Sequence, residues 1–341
     1  MAVPVSVAGN APTSLPATAT ATQTQPALPT PSSPYLWGVV GNDRSHLTDE
    51  RSAGIKAKVF ELSWRELVPS ENNVNSSLVW QRQNEVAQIR RAGFRVILNL
   101  GFTDAPGWVH TNYPNTYYID QYGDRYDGQG QVDSGDVNLI FNPTLRTLAQ
   151  SYMRMVFANF GTDFVAVRLG GGHWGELTYP VNTYNGHANA YWASDTSALA
   201  QSPTPNWRPG QASPKGEAGT FLNWYLDTLT GYQNWQISTL RQYYTGQIMM
   251  LYPSWGVRLG QRDQAIAGNL GGTTSPEING EVQRGLDFAR QLGAITDAKV
   301  IATTTWLDAD ASRDGGTRSS DWSPVKYLAS LAAMHPLHLC Q

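Results

Sequence analysis

The sequence predicts an α/β protein built as a (β/α)8 TIM-type barrel, incomplete because the chain stops within its seventh strand. Three observations carry this. Short β-type runs alternate with longer helix-type runs from residue 35 onward. No GxGxxG or GxxxxGK[ST] loop follows any strand run, where a doubly wound nucleotide-binding sheet would place one. Acids and aromatics gather at one set of strand ends, where a barrel carries its reactive groups.

The elements follow in order. Residues 1–34 are set apart: "APTSLPATATATQTQPALPTPSSP" at 11–34 is rich in Pro, Thr and Ala and carries no charge. Such a segment cannot bury a core, so it reads as a disordered linker, with one barrel domain over 35–341. Within the barrel, "YLWGVV" (35–40) and "AKVFEL" (57–62) read as the first two strands. Residues 78–92 place apolar residues at 78, 79, 86 and 89 and stop at Gly93, which predicts a helix. "RVILNL" (95–100) is the third strand, 145–160 a helix, "FVAVRL" (164–169) the fourth strand, and 219–244 a long amphipathic helix. "QIMMLY" (247–252) is the fifth strand, 278–293 a helix, and "KVIATTTW" (299–306) the sixth strand. A last helix over 323–334 begins with Ser323 as N-cap and Pro324 at its first position. "LHLC" (337–340) opens a seventh strand. Six β-then-α repeats plus a strand start are the count of a barrel cut short.

Composition narrows the partners. The 24 basic and 27 acidic residues are well mixed and leave a net charge of −3, so no basic stripe points to nucleic acid or a membrane surface. No run of 18 apolar residues forms a spanning helix. Cys340 is the only cysteine, which excludes an intrachain disulfide and a thiolate metal cluster. The six histidines are scattered without HxH or HxxxH spacing, so no metal site is expected. "DADASRD" (308–314) alternates acids, but no Glu closes an EF-type loop and it reads as a solvated loop. GxSxG is absent, which removes the hydrolase elbow of a Ser-His-Asp site. The linker suggests an exported or surface-displayed protein, whereas "MAVPVSVAGN" lacks the basic and long apolar regions of a signal peptide. Oligomeric state is not legible.

The strand ends suit a sugar cleft. They read "GNDR" (41–44), "ELSW" (61–64), "GFTDAPGW" (101–108), "GGGHWGELTYP" (170–180), "YPSWG" (252–256) and "WLDAD" (306–310). Twelve tryptophans in the chain supply flat rings that match the C–H face of a sugar. Trp64, Trp108, Trp255 and Trp306 are candidate platforms, with rim packing as the alternative. Asp104 could bind hydroxyls or hold a turn. Asp43 and Arg44 could orient a reacting group or pair at the surface. Tyr252 could reach a catalytic carboxylate or lie buried with one partner. His173 could touch substrate, hold Glu176, or be structural. Glu176, flanked by Trp174 and Tyr179, is the candidate proton donor: an aromatic, partly dry pocket disfavours the anion and raises a carboxyl pKa.

Taken together, "W..LVP" after strand two, "APGWV" after strand three, "YIDQYGDRYDG" in the next loop and a glutamate after strand four resemble the clan of barrel glycoside hydrolases that includes family 42 β-galactosidases. "FLNWYLDTLTGYQNW" is similar to that family's helix after strand four, and "GELTYP" also resembles the acid motif of family 14 β-amylases. Family 42 has Asn directly before the acid glutamate, where this chain has Gly175. The resemblance implies hydrolysis of β-linked sugars such as β-galactosides with retention. It requires no cofactor and makes Glu176 the general acid/base. It also implies a nucleophilic carboxylate at the end of strand seven, beyond Gln341; Asp308 or Glu61 would be the second carboxylate of a complete but divergent protein. The remaining alternatives are a β-amylase-like polysaccharide hydrolase and a catalytically inactive carbohydrate-binding barrel.

Overall fold

The computed structural model describes residues 36–128, 136–272, 276–307, 309–335 and 337–340. The segment read as a linker, 1–34, and Asp308 lie outside them.

Seven parallel strands lie in sequence order: β1 (Gly38–Val40), β2 (Ala57–Glu61), β3 (Arg95–Asn99), β4 (Ala166–Leu169), β5 (Gln247–Tyr252), β6 (Val300–Thr304) and β7 (His338–Cys340). Each pairs with its sequence neighbours, and among the described residues β1 pairs only with β2 and β7 only with β6. The result is an incomplete (β/α)8 barrel, as the sequence predicts.

Helices fill every crossover. They are α1 (Leu47–Ser52), α2 (Trp64–Leu67), α3 (Ser76–Arg91), α4 (Gly107–Asn112), α5 (Pro143–Phe160), α6 (Thr196–Leu199), α7 (Glu217–Leu240), α8 (Gln261–Ala267), α9 (Pro276–Gln283), α10 (Phe288–Gly293) and α11 (Pro324–Ala332). Their starts obey local chemistry. Asn142 accepts from the amides of Thr144 and Leu145 with Pro143 in the first turn of α5, and Ser323 accepts from the Lys326 amide at the head of α11.

The single helix expected over 278–293 is two, α9 and α10. Gly285 sits between them at φ 77°, and a Cβ there would lie 2.7 Å from Leu229 Cδ2. Two residues on, Asp287 caps α10 by accepting from the Arg290 amide at 3.2 Å. The break frees the Arg284 carbonyl, which accepts from the Tyr179 amide at 3.1 Å. The loop after β4 is thereby tied to the junction of the two helices.

Side-chain alternation splits the sheet into two faces. Phe60, Leu98, Val167, Met250, Tyr252 and Ala302 point outward into the large core beneath the helices. Ala57, Val59, Ile97, Ala166 and Met249 form a separate, much smaller inner cluster. Burying a large aliphatic side chain stabilises by about 1.5–3 kcal/mol, so the outer layer dominates the docking of helices to sheet. The inner face turns polar toward the strand C-termini: Glu61, Asn99 and Arg168 stand in register across β2, β3 and β4. That polar rim borders the candidate site.

Candidate active site

The glycine run after β4 exists because the loop doubles back on itself. A Cβ at Gly172 would lie 2.2 Å from the Thr178 carbonyl oxygen, and one at Gly170 would lie 2.1 Å from that of Gly175. Only glycine admits so close an approach. The turn is pinned by the Gly172 amide donating to the Glu176 carbonyl at 2.9 Å and by the Leu177 amide donating to Leu251 of β5 at 2.9 Å. From α7, Tyr232 Oη and Gln236 Nε2 donate to the carbonyls of Gly171 and Gly170 at 3.0 and 3.1 Å. The carboxyl of Glu176 is thus presented by backbone that is held on three sides.

Glu176 is half-buried, and Thr305 Oγ1, just past β6, donates to its Oε1 at 2.5 Å. Burial pushes its pKa up; the Thr305 bond and the nearby Arg284, His173 and Arg168 side chains oppose that shift without cancelling it. A glutamic acid kept protonated beyond its ordinary range can donate a proton. Thr305→Val removes one of the opposing contributions at nearly constant volume. It is expected to raise the Glu176 titration midpoint, read from carboxyl 13C shifts; an unmoved midpoint would detach Thr305 from the acid.

A cavity of about 690 Å³ is lined by Trp255, Trp306, Arg258, Glu281 and Arg284 among others; Glu176 is not on its wall and is linked to it through Arg284 and the Thr305–Trp306 step. Trp306 directly follows Thr305, and Trp255 and Trp306 are each 38% exposed, so both keep ring surface open to a ligand. Glu281 is buried, accepts from Ser254 Oγ at 2.5 Å and from the Gly256 amide at 2.6 Å, and has its pKa raised by burial. Arg284, half-buried, feels the charges of both Glu281 and Glu176. It links the cavity wall to the acid electrostatically.

The remaining sequence candidates separate clearly. Trp174 follows His173 in a left-handed conformation (φ 55°), packs one side of its ring on His173 with centroids 4.4 Å apart, and is 63% exposed. His173 is buried, with Nδ1 2.6 Å from Asp136 Oδ2 and Tyr126 Oη at 3.2 Å. A carboxylate only accepts, so the Asp136 contact places the proton on Nδ1. Glu61 accepts from Asn99 Nδ2 at 3.1 Å and remains exposed on the inner rim.

Others are absorbed by the fold. Trp64 is 1% exposed and stacks on Tyr152 at 5.4 Å, leaving no face for a sugar. Tyr179 is fully buried and donates to the Tyr225 carbonyl at 2.8 Å. Tyr252 is in phase with the outward residues of β5 and donates to Gln233 of α7 at 2.8 Å, away from the barrel interior. Trp108 is half-buried, with Nε1 donating to the Val68 carbonyl at 2.8 Å. Asp104 is held by Arg65 and Ser63. Asp43 closes a turn on Ser45, and Arg44 pairs with Glu85 of α3 at 3.3 Å.

The sequence reading did not single out Thr305, Arg168, Asn99, Glu281 or Arg284. Alternation could have found the first three, since they share the inward phase of their strands. Glu281 and Arg284 sit within a run that reads simply as helix, and nothing local marks them.

No protein-family model matches this sequence, and no curated protein matches it. Solved structures do. The catalytic domain of a β-amylase from Paenibacillus polymyxa aligns at TM-score 0.64 and 14% identity, covering 89% of this chain and 84% of that one. A β-galactosidase from the psychrophilic Marinomonas ef1 aligns at TM-score 0.52 and 10% identity over 81% of this chain. One from the Antarctic haloarchaeon Halorubrum lacusprofundi aligns at 0.51 and 11% identity over 82%. This chain spans 41% and 42% of those two proteins. The fold is therefore that of barrel glycoside hydrolases.

Proposed function

We propose that this protein hydrolyses O-glycosidic bonds, with Glu176 as the general acid/base. The observation that carries the reading is the environment of that carboxyl. It is raised in pKa by burial, gripped by Thr305, and linked through Arg284 and the Thr305–Trp306 step to a cavity whose wall includes Trp255 and Trp306. A glycosidic leaving oxygen needs a proton as its bond breaks, and a carboxylic acid that holds its proton above the ordinary range is suited to supply it. Trp174, Trp255 and Trp306 are the rings we assign to sugar contact, with Glu61 and Arg168 on the inner rim as hydroxyl-binding groups. By its sequence resemblance to family 42, the substrate is a β-linked sugar such as a β-galactoside, cleaved with retention through a second carboxylate, which for turnover by this chain would be Glu61 or Asp308.

A second reading is a β-amylase-like attack on an α-glucan. Two observations favour it: the "GELTYP" stretch at 175–180, and the near full-length alignment with the Paenibacillus polymyxa catalytic domain. The two readings part on one experiment. The purified chain is incubated with nitrophenyl β-galactoside, nitrophenyl β-glucoside and maltopentaose, and the products are followed by proton NMR. Galactose released with retained anomeric configuration supports the first reading; maltose from maltopentaose supports the second. Binding of any of these sugars without turnover would replace both with the non-catalytic barrel.

A further inference from the structure

We propose a divalent-metal site outside the sugar cleft, formed by Asp120, Asp124 and His187. Asp120 and Asp124 lie at the two ends of a tight hairpin in the long loop between α4 and α5. The Asp120 amide donates to the Asp124 carbonyl at 3.0 Å, and Gly123 donates back to Asp120 at 3.1 Å. His187 comes from the loop after β4, where it pairs with Tyr184 across a second small hairpin. One donor atom from each of the three side chains lies within 4.8 Å of the others.

The telling atom is Asp120 Oδ2. Asp120 is fully buried. Its Oδ1 accepts from the amides of Tyr122 and Asp124, each at 2.9 Å, while Oδ2 is buried with no hydrogen-bond partner. A buried carboxylate oxygen without a donor is costly, and native folds rarely leave one so. A carboxylate oxygen of Asp120 lies within 4.8 Å of donor atoms of Asp124 and His187, so a cation shared by the three side chains would satisfy the group. Donors on one tetrahedral ion with bonds of about 2.0–2.2 Å lie roughly 3.3–3.6 Å apart, so the widest pair here, within 4.8 Å, closes by up to about an ångström on binding.

The surroundings already orient the donors. Asp124 Oδ2 is 2.9 Å from His187 Nδ1, and Asp124 Oδ1 accepts from Asn185 Nδ2 at 3.1 Å. The His187 ring is stacked on Tyr122 with centroids 3.9 Å apart. Metal binding would take the proton from Nδ1 and replace the Asp124–His187 hydrogen bond with two bonds to the ion, keeping the outer contacts that hold both side chains in place. Two carboxylates and an imidazole suit Zn²⁺ or Mn²⁺ better than Ca²⁺, which takes six to eight oxygens. The ion would clamp the loop after β3 to the loop after β4. The same pair of loops carries Tyr126 and His173, so the clamp would steady the ground on which Glu176 stands without touching the reacting carboxyl.

The test is isothermal titration of the tag-free, EDTA-stripped chain with ZnCl2, MnCl2 and CaCl2, alongside melting curves. One equivalent of Zn²⁺ or Mn²⁺ should bind and raise Tm. Asp120→Asn and His187→Ala should each weaken binding by at least about tenfold, while His46→Ala leaves it unchanged. His187 is partly exposed, so its variant remains informative if Asp120→Asn fails to fold. No saturable binding, selectivity for Ca²⁺ alone, or full binding in His187→Ala would each overturn the proposal.

Discussion

Glu176→Gln is expected to lower the rate of hydrolysis of a poorly activated glycoside by about 10²–10⁴-fold, the span that a positioned general acid contributes. Gln has nearly the same shape and can still accept from Thr305, so the fold should persist and only the transferable proton is lost. The same substitution should act on stability in the opposite sense. Burial holds the Glu176 carboxyl above its ordinary value of 4.5. The folded state therefore holds more protons than the unfolded chain between that value and the raised one, and stability is lost as pH rises through that window. Gln bears no such penalty. The Tm of Glu176→Gln should exceed that of the native chain at about pH 8 and match it near about pH 4, below both carboxyl midpoints. A Tm difference that does not change with pH would remove the burial argument. A variant that is more stable and less active is what a site holding an uncomfortable carboxyl should give.

The second large effect separates two tryptophans that look alike in the sequence. Both Trp64 and Trp306 follow strand ends. Trp64 is buried against Tyr152, and Trp306 lines the cavity with its ring partly open. Trp64→Ala is expected to cost about 3–5 kcal/mol of stability, the range for removing a large core aromatic. Trp306→Ala should change stability by no more than about 0.5 kcal/mol while weakening sugar affinity. Chemical denaturation and sugar titration of the two variants measure both. If Trp306→Ala destabilises as strongly as Trp64→Ala and leaves binding intact, Trp306 is packing and not a platform.

That pair also shows what the sequence could and could not reveal. The parallel barrel was legible because each strand run is bounded by a helix whose ends carry their own signals, as Ser323 and Pro324 do for α11. The loop around Glu176 was legible as more than a plain turn from its glycines and aromatics, and the structure ties those glycines to backbone that folds back on itself. Tyr252 could have been placed correctly, since alternation from Ile248 and Met250 carries it to the helix side of the sheet. The "RGLD" break between α9 and α10 pairs a stop signal with an N-cap, yet it is overridden when the run is read as one amphipathic stretch. Burial of Trp64 and Tyr179, the Glu281–Arg284 wall, and the meeting of Asp120 with His187 depend on contacts between residues far apart in sequence. Local periodicity carries no information about those contacts.

The central claim is that Glu176 gives a proton to the departing sugar oxygen, and leaving-group dependence tests it most directly. Rates of the native chain and Glu176→Gln are compared on methyl and 2,4-dinitrophenyl versions of the best glycoside. The account predicts a large loss on the methyl glycoside, whose alkoxide needs the proton, and a much smaller loss on the dinitrophenyl glycoside, whose phenolate does not. Equal losses on both substrates, or no hydrolysis of either by the folded native chain, would contradict it.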